Sequence, residues 1–214
     1  IYPEYLRDKI GDSLVLSVKQ AYNRYSDITD FHFYNCCNLP NLNSPLISEH
    51  YAYPNRNGPI SVGSSNYPEG QRWSRFQKTD LFFKIPIRTE IDGDFLVKTC
   101  DFEKYMLSNT TERPCGPGII LETVLHTAVH LGVPKIVAIG YDLSKENPKK
   151  QSDHKHFYGE TDRLFNRADV LPWEVKAHVD ITDKMYEWLL SKGIELELAS
   201  DKSALYEGIP RIEL

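Results

Sequence analysis

Apolar positions between Gly116 and Gly132 recur at helical spacing. Leu121, Val124, Leu125, Ala128 and Leu131 share one stripe, which Gly132 and Pro134 end. Gly116, Pro117 and Gly118 predict a tight turn ahead of this helix. The period then changes. Lys135 to Gly140 carries Ile136, Val137, Ala138 and Ile139 without a polar break, the pattern of a parallel strand buried on both faces. Its carboxyl end delivers Gly140, Tyr141 and Asp142 into a loop dense in polar and aromatic groups, at the edge where open α/β sheets hold ligands.

Before this unit, residues 1–11 read as a short helix closed by Gly11, Ser13 to Val18 as a strand, and Phe31 to Tyr34 as a second strand running into Asn35. Lys19, Gln20 and Tyr22 follow the first strand, so two consecutive strands send polar groups to the same edge. Residues 39–75 are crowded with Asn, Pro, Ser, Gly and Tyr and show too little period to assign an element. Thr79 to Ile87 alternates as a strand, Asp92-Gly93 fits a hairpin turn before Phe95 to Val97, and Phe102 to Leu107 fits a short helix. Leu143 to Pro172 reads as a long loop interrupted by a helix near Asp162 to Arg167. Ile181 to Lys192 is an amphipathic helix with Ile181, Met185, Trp188 and Leu189 inward and Gly193 as its stop, and Ile194 to Leu198 is the last strand. Helices alternating with strands in this way predict an α/β fold with a mainly parallel sheet.

Composition narrows the function. The 214 residues are 41% hydrophobic and 26% charged, enough for one globular domain with a core, and a net charge of -5 argues against nucleic acid as a partner. The four cysteines, Cys36, Cys37, Cys100 and Cys115, form neither a C-x-x-C pair nor a secreted disulfide scaffold. No apolar run approaches the roughly 20 residues needed to span a bilayer, and no leader is evident, so the expectation is a cytoplasmic protein or a soluble fragment of one.

Three stretches carry a resemblance. FHFYN ends at Asn35, HLGVPKIVAIGYDL ends in Gly140, Tyr141, Asp142 and Leu143, and HVDITDKMYEWLLSKGIELEL begins at His178. Together they resemble, over roughly residues 13–200, the bacterial sialyltransferases that decorate lipooligosaccharide, a Rossmann-like group using CMP-activated sugar donors. The resemblance implies one Rossmann-like domain over residues 1–214. The family's opening strand and Gly-x-Gly-x-Ser loop are missing, so the expectation is a domain incomplete at its amino terminus. Lys19 stands where the family places a nucleotide-contacting Asn. HFYG at His156 to Gly159 and the spacing from Gly118 to Leu131 are closer to a sister group containing surface-glycan transferases and 6-hydroxymethylpterin diphosphokinases.

From this resemblance the donor would be held by Lys19, Asn35, Gly116, Gly118, Tyr141 and His156, and the chemistry carried by His178, Tyr158 and Asp142. His178 is implied as the base that takes the acceptor hydroxyl proton, projecting from a loop just before the helix near Ile181, with Asp180, Thr182 and Asp183 to cap or orient it. Tyr158 and the amides of Gly116 and Gly118 suit the departing phosphate. Asp142 is open between catalysis and bonding loop amides. No metal and no cofactor beyond the donor are expected, since a nucleoside monophosphate leaves.

Simpler roles compete. Glu122, His126 and His130 share a helix face and are expected to be a solvated stripe rather than metal ligands. Asp153, His154 and His156 read as a mobile polar loop. The partners implied are a nucleotide-sugar donor and a glycan acceptor, with peripheral association at the cytoplasmic face of the inner membrane and oligomer formation left open. Phosphoryl transfer to a pterin, and a non-catalytic nucleotide- or glycan-binding module, are the competing functions.

Overall fold

The computed structural model describes residues 5–18, 21–35, 58–65, 80–84, 101–107, 119–141, 172–200 and 203–214. The chain has an α/β fold whose main sheet is parallel and flanked by helices, consistent with a Rossmann-like architecture. It divides into two compact units, with a boundary between Thr127 and Ala128 inside one helix.

The unit formed by Glu4–Asp92 and Ser108–Thr127 holds the larger sheet. Helix α1 (Tyr5–Ile10) ends at Gly11, whose φ of 51° needs no side chain, and leads to β1 (Leu16–Val18). Helix α2 (Ala21–Tyr25) then crosses to β2 (Phe31–Asn35), followed by β3 (Ile60–Ser65) and β4 (Leu81–Lys84). The order is β1-β2-β3-β4, all parallel. An aspartate before a strand twice fixes the neighbouring strand. Asp30 Oδ2 accepts from the Val15 amide at 2.7 Å, and Asp80 Oδ2 accepts from the Ser61 amide and hydroxyl, each at 2.8 Å. The Ser61 amide, then its hydroxyl, hold the Asp80 carboxyl below its usual range.

Because side chains alternate along a strand, Phe33, Val62 and Phe83 form one apolar face, each no more than 3% exposed. The other face is polar but enclosed. It carries Ser17, His32 and Ser61, all buried, with Tyr22 of α2 stacked on the His32 ring at 4.4 Å.

Strand β3 falls inside the segment that gave no element from sequence. Its Ser61, Gly63 and Ser64 have weak strand preference, and flanking strands, not residue propensity, hold it in place. Strand β1 is shorter than expected, beginning at Leu16 instead of Ser13.

The other unit contains α3 (Phe102–Leu107), the end of α4 (Leu125–His130), β5 (Lys135–Ala138), α5 (Pro172–Ser191), β6 (Glu195–Leu198) and the residues that follow. Strands β5 and β6 are parallel, with Ile136 opposite Leu196 and Ala138 opposite Leu198. Helix α5 packs against β6 through Ile181, Met185 and Leu189, each no more than 1% exposed. Trp188 is only half-buried. Its Nε1 donates to Glu103 of α3 at 3.0 Å, and Lys192 pairs with the same carboxylate.

The expectation that β5 is buried on both faces is corrected. Val137 and Ile139 are each 39% exposed, because their face also carries Lys135, Glu195 and Glu197, and Lys135 bridges Glu197 at 2.8 Å. That hydrogen bond raises the Lys135 pKa. Leu131 is exposed too, lying in the turn beyond the last residue of α4. No helix among the described residues is long and apolar enough to cross a membrane. The hairpin expected at Asp92-Gly93, the segment Phe95 to Val97 and the helix near Asp162 lie outside the described residues.

Candidate functional site

The carboxyl edge of the four-stranded sheet brings polar residues into line. Asn35, the last residue of β2, is in register with Ser64 of β3; Ser64 is in register with Phe83 of β4, and Ser65 with Lys84. Asn35 and Ser64 stand two positions beyond the Phe33 and Val62 pair in the same register. Ser64 is 1% exposed, and its hydroxyl has no hydrogen-bond partner among the described residues. Buried hydroxyls are nearly always bonded, so Ser64 is an exception among the described residues.

Phe83 leads to the next helical segment. The His126 ring meets it edge-on, with centroids 5.5 Å apart. His126 follows a π-helical turn, Ile120–Val124, which runs directly into α4. Thr123 and Thr127 donate their hydroxyls to the carbonyls four residues earlier, at 2.9 and 2.8 Å. Turns of this type are rare and often lie at functional sites. The solvated stripe expected of Glu122, His126 and His130 is therefore corrected in part: His126 is 5% exposed and packed on an aromatic ring, whereas His130 is exposed. Among the described residues no group of three His, Cys, Asp or Glu is placed to hold a metal.

On the opposite face, His32 Nδ1 lies 3.3 Å from Ser17 Oγ. Burial lowers its pKa to about 4, so the ring is neutral at pH 7. Nothing in the alternation of FHFYN distinguishes this inward histidine from a solvent-facing one.

The second unit contains the β5 exit. Gly140 turns the chain with φ of 73°, and Tyr141 follows. The Tyr141 side chain, expected among the groups that hold the donor, is 4% exposed, and burial pushes its phenol well above the usual range. The carbonyl of Tyr141 accepts from Ser203 Oγ at 2.9 Å, a buried bond with no local sequence signature.

His178 also moves. It lies within α5, which begins at Pro172, and not in a loop before a helix at Ile181. Asp180, Thr182 and Asp183 are accordingly interior to the helix and do not cap its start. Thr182 is fully buried; its hydroxyl donates to the Val179 carbonyl at 2.8 Å and accepts from the Tyr206 amide at 3.0 Å. Pro172 was the available signal, since proline is favoured at the first helical position. Lys19, Gly116, Gly118, Asp142, His156 and Tyr158 lie outside the described residues, as do Asp153 and His154. Asn35 and His178 are placed by their backbone positions.

Comparison with protein-family models, with curated proteins and with solved structures yields no match.

Proposed function

We propose that the chain is a glycosyltransferase that moves a sialic acid or related ulosonic acid, such as Kdo, from a CMP-activated donor to a hydroxyl of a cell-surface glycan. The observation that carries this reading is the edge pair: Asn35 closes β2 in register with Ser64, whose buried hydroxyl lacks a partner among the described residues. A parallel sheet offers its carboxyl edge to nucleotides. An Asn amide and an unused hydroxyl supply the mixed donors and acceptors that a pyrimidine or ribose needs. The resemblance at FHFYN gives Asn35 that nucleotide contact.

The chemistry follows from the donor. Its anomeric carbon bears a carboxylate, its transition state is cation-like and its leaving group is CMP, so the reaction needs a base for the acceptor and hydrogen-bond donors for one phosphate. His178 is the base by resemblance, with Tyr158 and the amides of Gly116 and Gly118 for the phosphate. Asp142 as a carboxylate nucleophile would give retention, whereas direct attack would give inversion.

Ser64→Ala tests the reading cleanly. Deleting a buried hydroxyl with no partner among the described residues should leave the ligand-free protein as stable or slightly more so, while CMP affinity falls about five- to tenfold through loss of one hydrogen bond. Calorimetry with CMP, UDP, GDP and ATP should rank CMP first. A purine nucleotide binding equally well, or a Ser64→Ala variant with unaltered CMP affinity, would refute the assignment.

A further inference from the structure

The segment after β6 is held by a dense set of side-chain hydrogen bonds to its backbone. Leu205 and Tyr206 each have the amide bound by a buried hydroxyl: Leu205 N donates to Ser203 Oγ at 3.3 Å, and Tyr206 N donates to Thr182 Oγ1 at 3.0 Å. Their carbonyls are bound as well. Arg211 donates to Leu205 O at 2.9 Å and to Tyr206 O at 2.8 Å, and also to the Ile209 carbonyl. Leu205 and Ile209 anchor the turn, at 1% and 0% exposure, and the chain then runs beside β6, with Leu198 N donating to Pro210 O and Ile212 N to Leu198 O. Both backbone groups of two successive residues are thus fixed by side chains.

The two hydroxyls also reach outward from this block. Ser203 Oγ donates a hydrogen bond to the carbonyl of Tyr141, the residue immediately before Asp142. Thr182 Oγ1 donates a hydrogen bond to Val179 O, inside the turn of α5 that follows His178, and positions 178 and 182 are four apart on the helix. One hydrogen-bonded block therefore joins the β5 exit to the turn of α5 after His178.

We propose that Ser203–Tyr206, locked by Arg211, is a clamp that sets the β5 exit against the His178 turn, making Ser203 and Thr182 positioning residues for the transfer step. This rests on the proposed transferase reading for its chemical consequence, but the clamp itself is mechanical. Small misplacements of reacting groups cost rate far more than they cost ground-state binding. Loss of either hydroxyl should thus lower kcat and leave the donor KM nearly unchanged.

The test compares Ser203→Ala, Thr182→Val and Thr182→Ser in the whole chain. Thr182→Val keeps the shape and loses the hydroxyl, whereas Thr182→Ser keeps the hydroxyl. CMP release from a CMP-ulosonate is measured beside hydrogen exchange of peptides covering residues 137–142 and 176–184. The clamp predicts about tenfold lower kcat for Ser203→Ala and Thr182→Val, near-parental kcat for Thr182→Ser, and faster exchange in both peptides when either hydroxyl is lost. Equal losses for Thr182→Val and Thr182→Ser would reduce Thr182 to packing and overturn the proposal. Exchange changes confined to the substituted segment would overturn it as well. If Ser203→Ala does not fold, the Thr182 pair decides. A parent chain that gives coupled exchange but no turnover of any CMP-ulosonate would remove the transferase reading and leave the clamp standing.

Discussion

Histidines show how little a residue's type says about its job without its surroundings. His32 is enclosed by Ser17 and the Tyr22 ring, with a pKa lowered from 6.5 to about 4 by burial. The unfolded chain therefore binds a proton that the folded chain refuses across this window. Stability from this group is complete above about pH 6.5 and is lost as pH falls toward 4, by roughly 3 kcal/mol at about 1.4 kcal/mol per pH unit. Urea titrations at a series of pH values should show this slope. His32→Phe, which keeps a ring beside Tyr22, should remove about one proton's worth of it; an unchanged slope would assign the effect to other groups. Asp80, whose carboxyl is held low by Ser61, loses its stabilisation from the ordinary carboxylate range downward, below most of the His32 window. His178 makes the opposite point, since its assignment comes from resemblance. If it is the base, His178→Ala should cut turnover by about 10²-fold or more, with CMP affinity retained. A folded variant with near-normal turnover would end that assignment.

At the scale of elements, the glycine stops of helices were legible and strand environments were not. After α4 and after α5 the chain makes the same stop. Gly132 and Gly193 take φ of 70° and 73°, their amides bond back to Val129 and Leu190 at 3.0 Å, and the next amides reach Ala128 and Leu189. Both glycines are readable because the bonding pattern is local and needs a residue without Cβ. Gly193→Ala meets no atom within 4 Å, so its cost should be the backbone strain alone, about 1–2 kcal/mol, with Gly193→Asn milder. A Gly193→Ala variant that melts at the same temperature as the parent chain would show that the turn relaxes. The misreadings share a different cause. Strand β3 is held by Asp80 and by its neighbours, β5 is exposed because its partner carries two glutamates on that face, and the start of α5 is polar enough to hide its period. Each depends on residues far away in sequence. The same is true of the site. Asn35 at a strand end could be read directly, but the register that sets Ser64 beside it and the Ser203 bond to Tyr141 exist only through pairing across 29 and 62 positions.

For the molecule as a whole, parallel strands ending in a polar edge fit many nucleotide-dependent reactions, and the leaving group separates the two enzymatic readings. In transfer from a CMP-ulosonate, the bond that breaks joins the anomeric carbon to a phosphate oxygen. The developing charge sits on a single phosphate, and protein hydrogen-bond donors suffice to stabilise it. In diphosphate transfer to a pterin, attack occurs at phosphorus within a nucleoside triphosphate, and a divalent cation must bridge adjacent phosphates while AMP leaves. The prediction follows from that difference in chemistry. With CMP-ulosonate and a glycan acceptor, excess EDTA should change the rate of CMP release by less than about twofold, because no step requires a bridged diphosphate. With ATP and 6-hydroxymethylpterin, AMP formation should stay at the background rate both with and without added magnesium. CMP release abolished by EDTA and restored by magnesium would argue against a monophosphate held by protein donors alone, and magnesium-dependent AMP formation would transfer the assignment to the diphosphokinase reading.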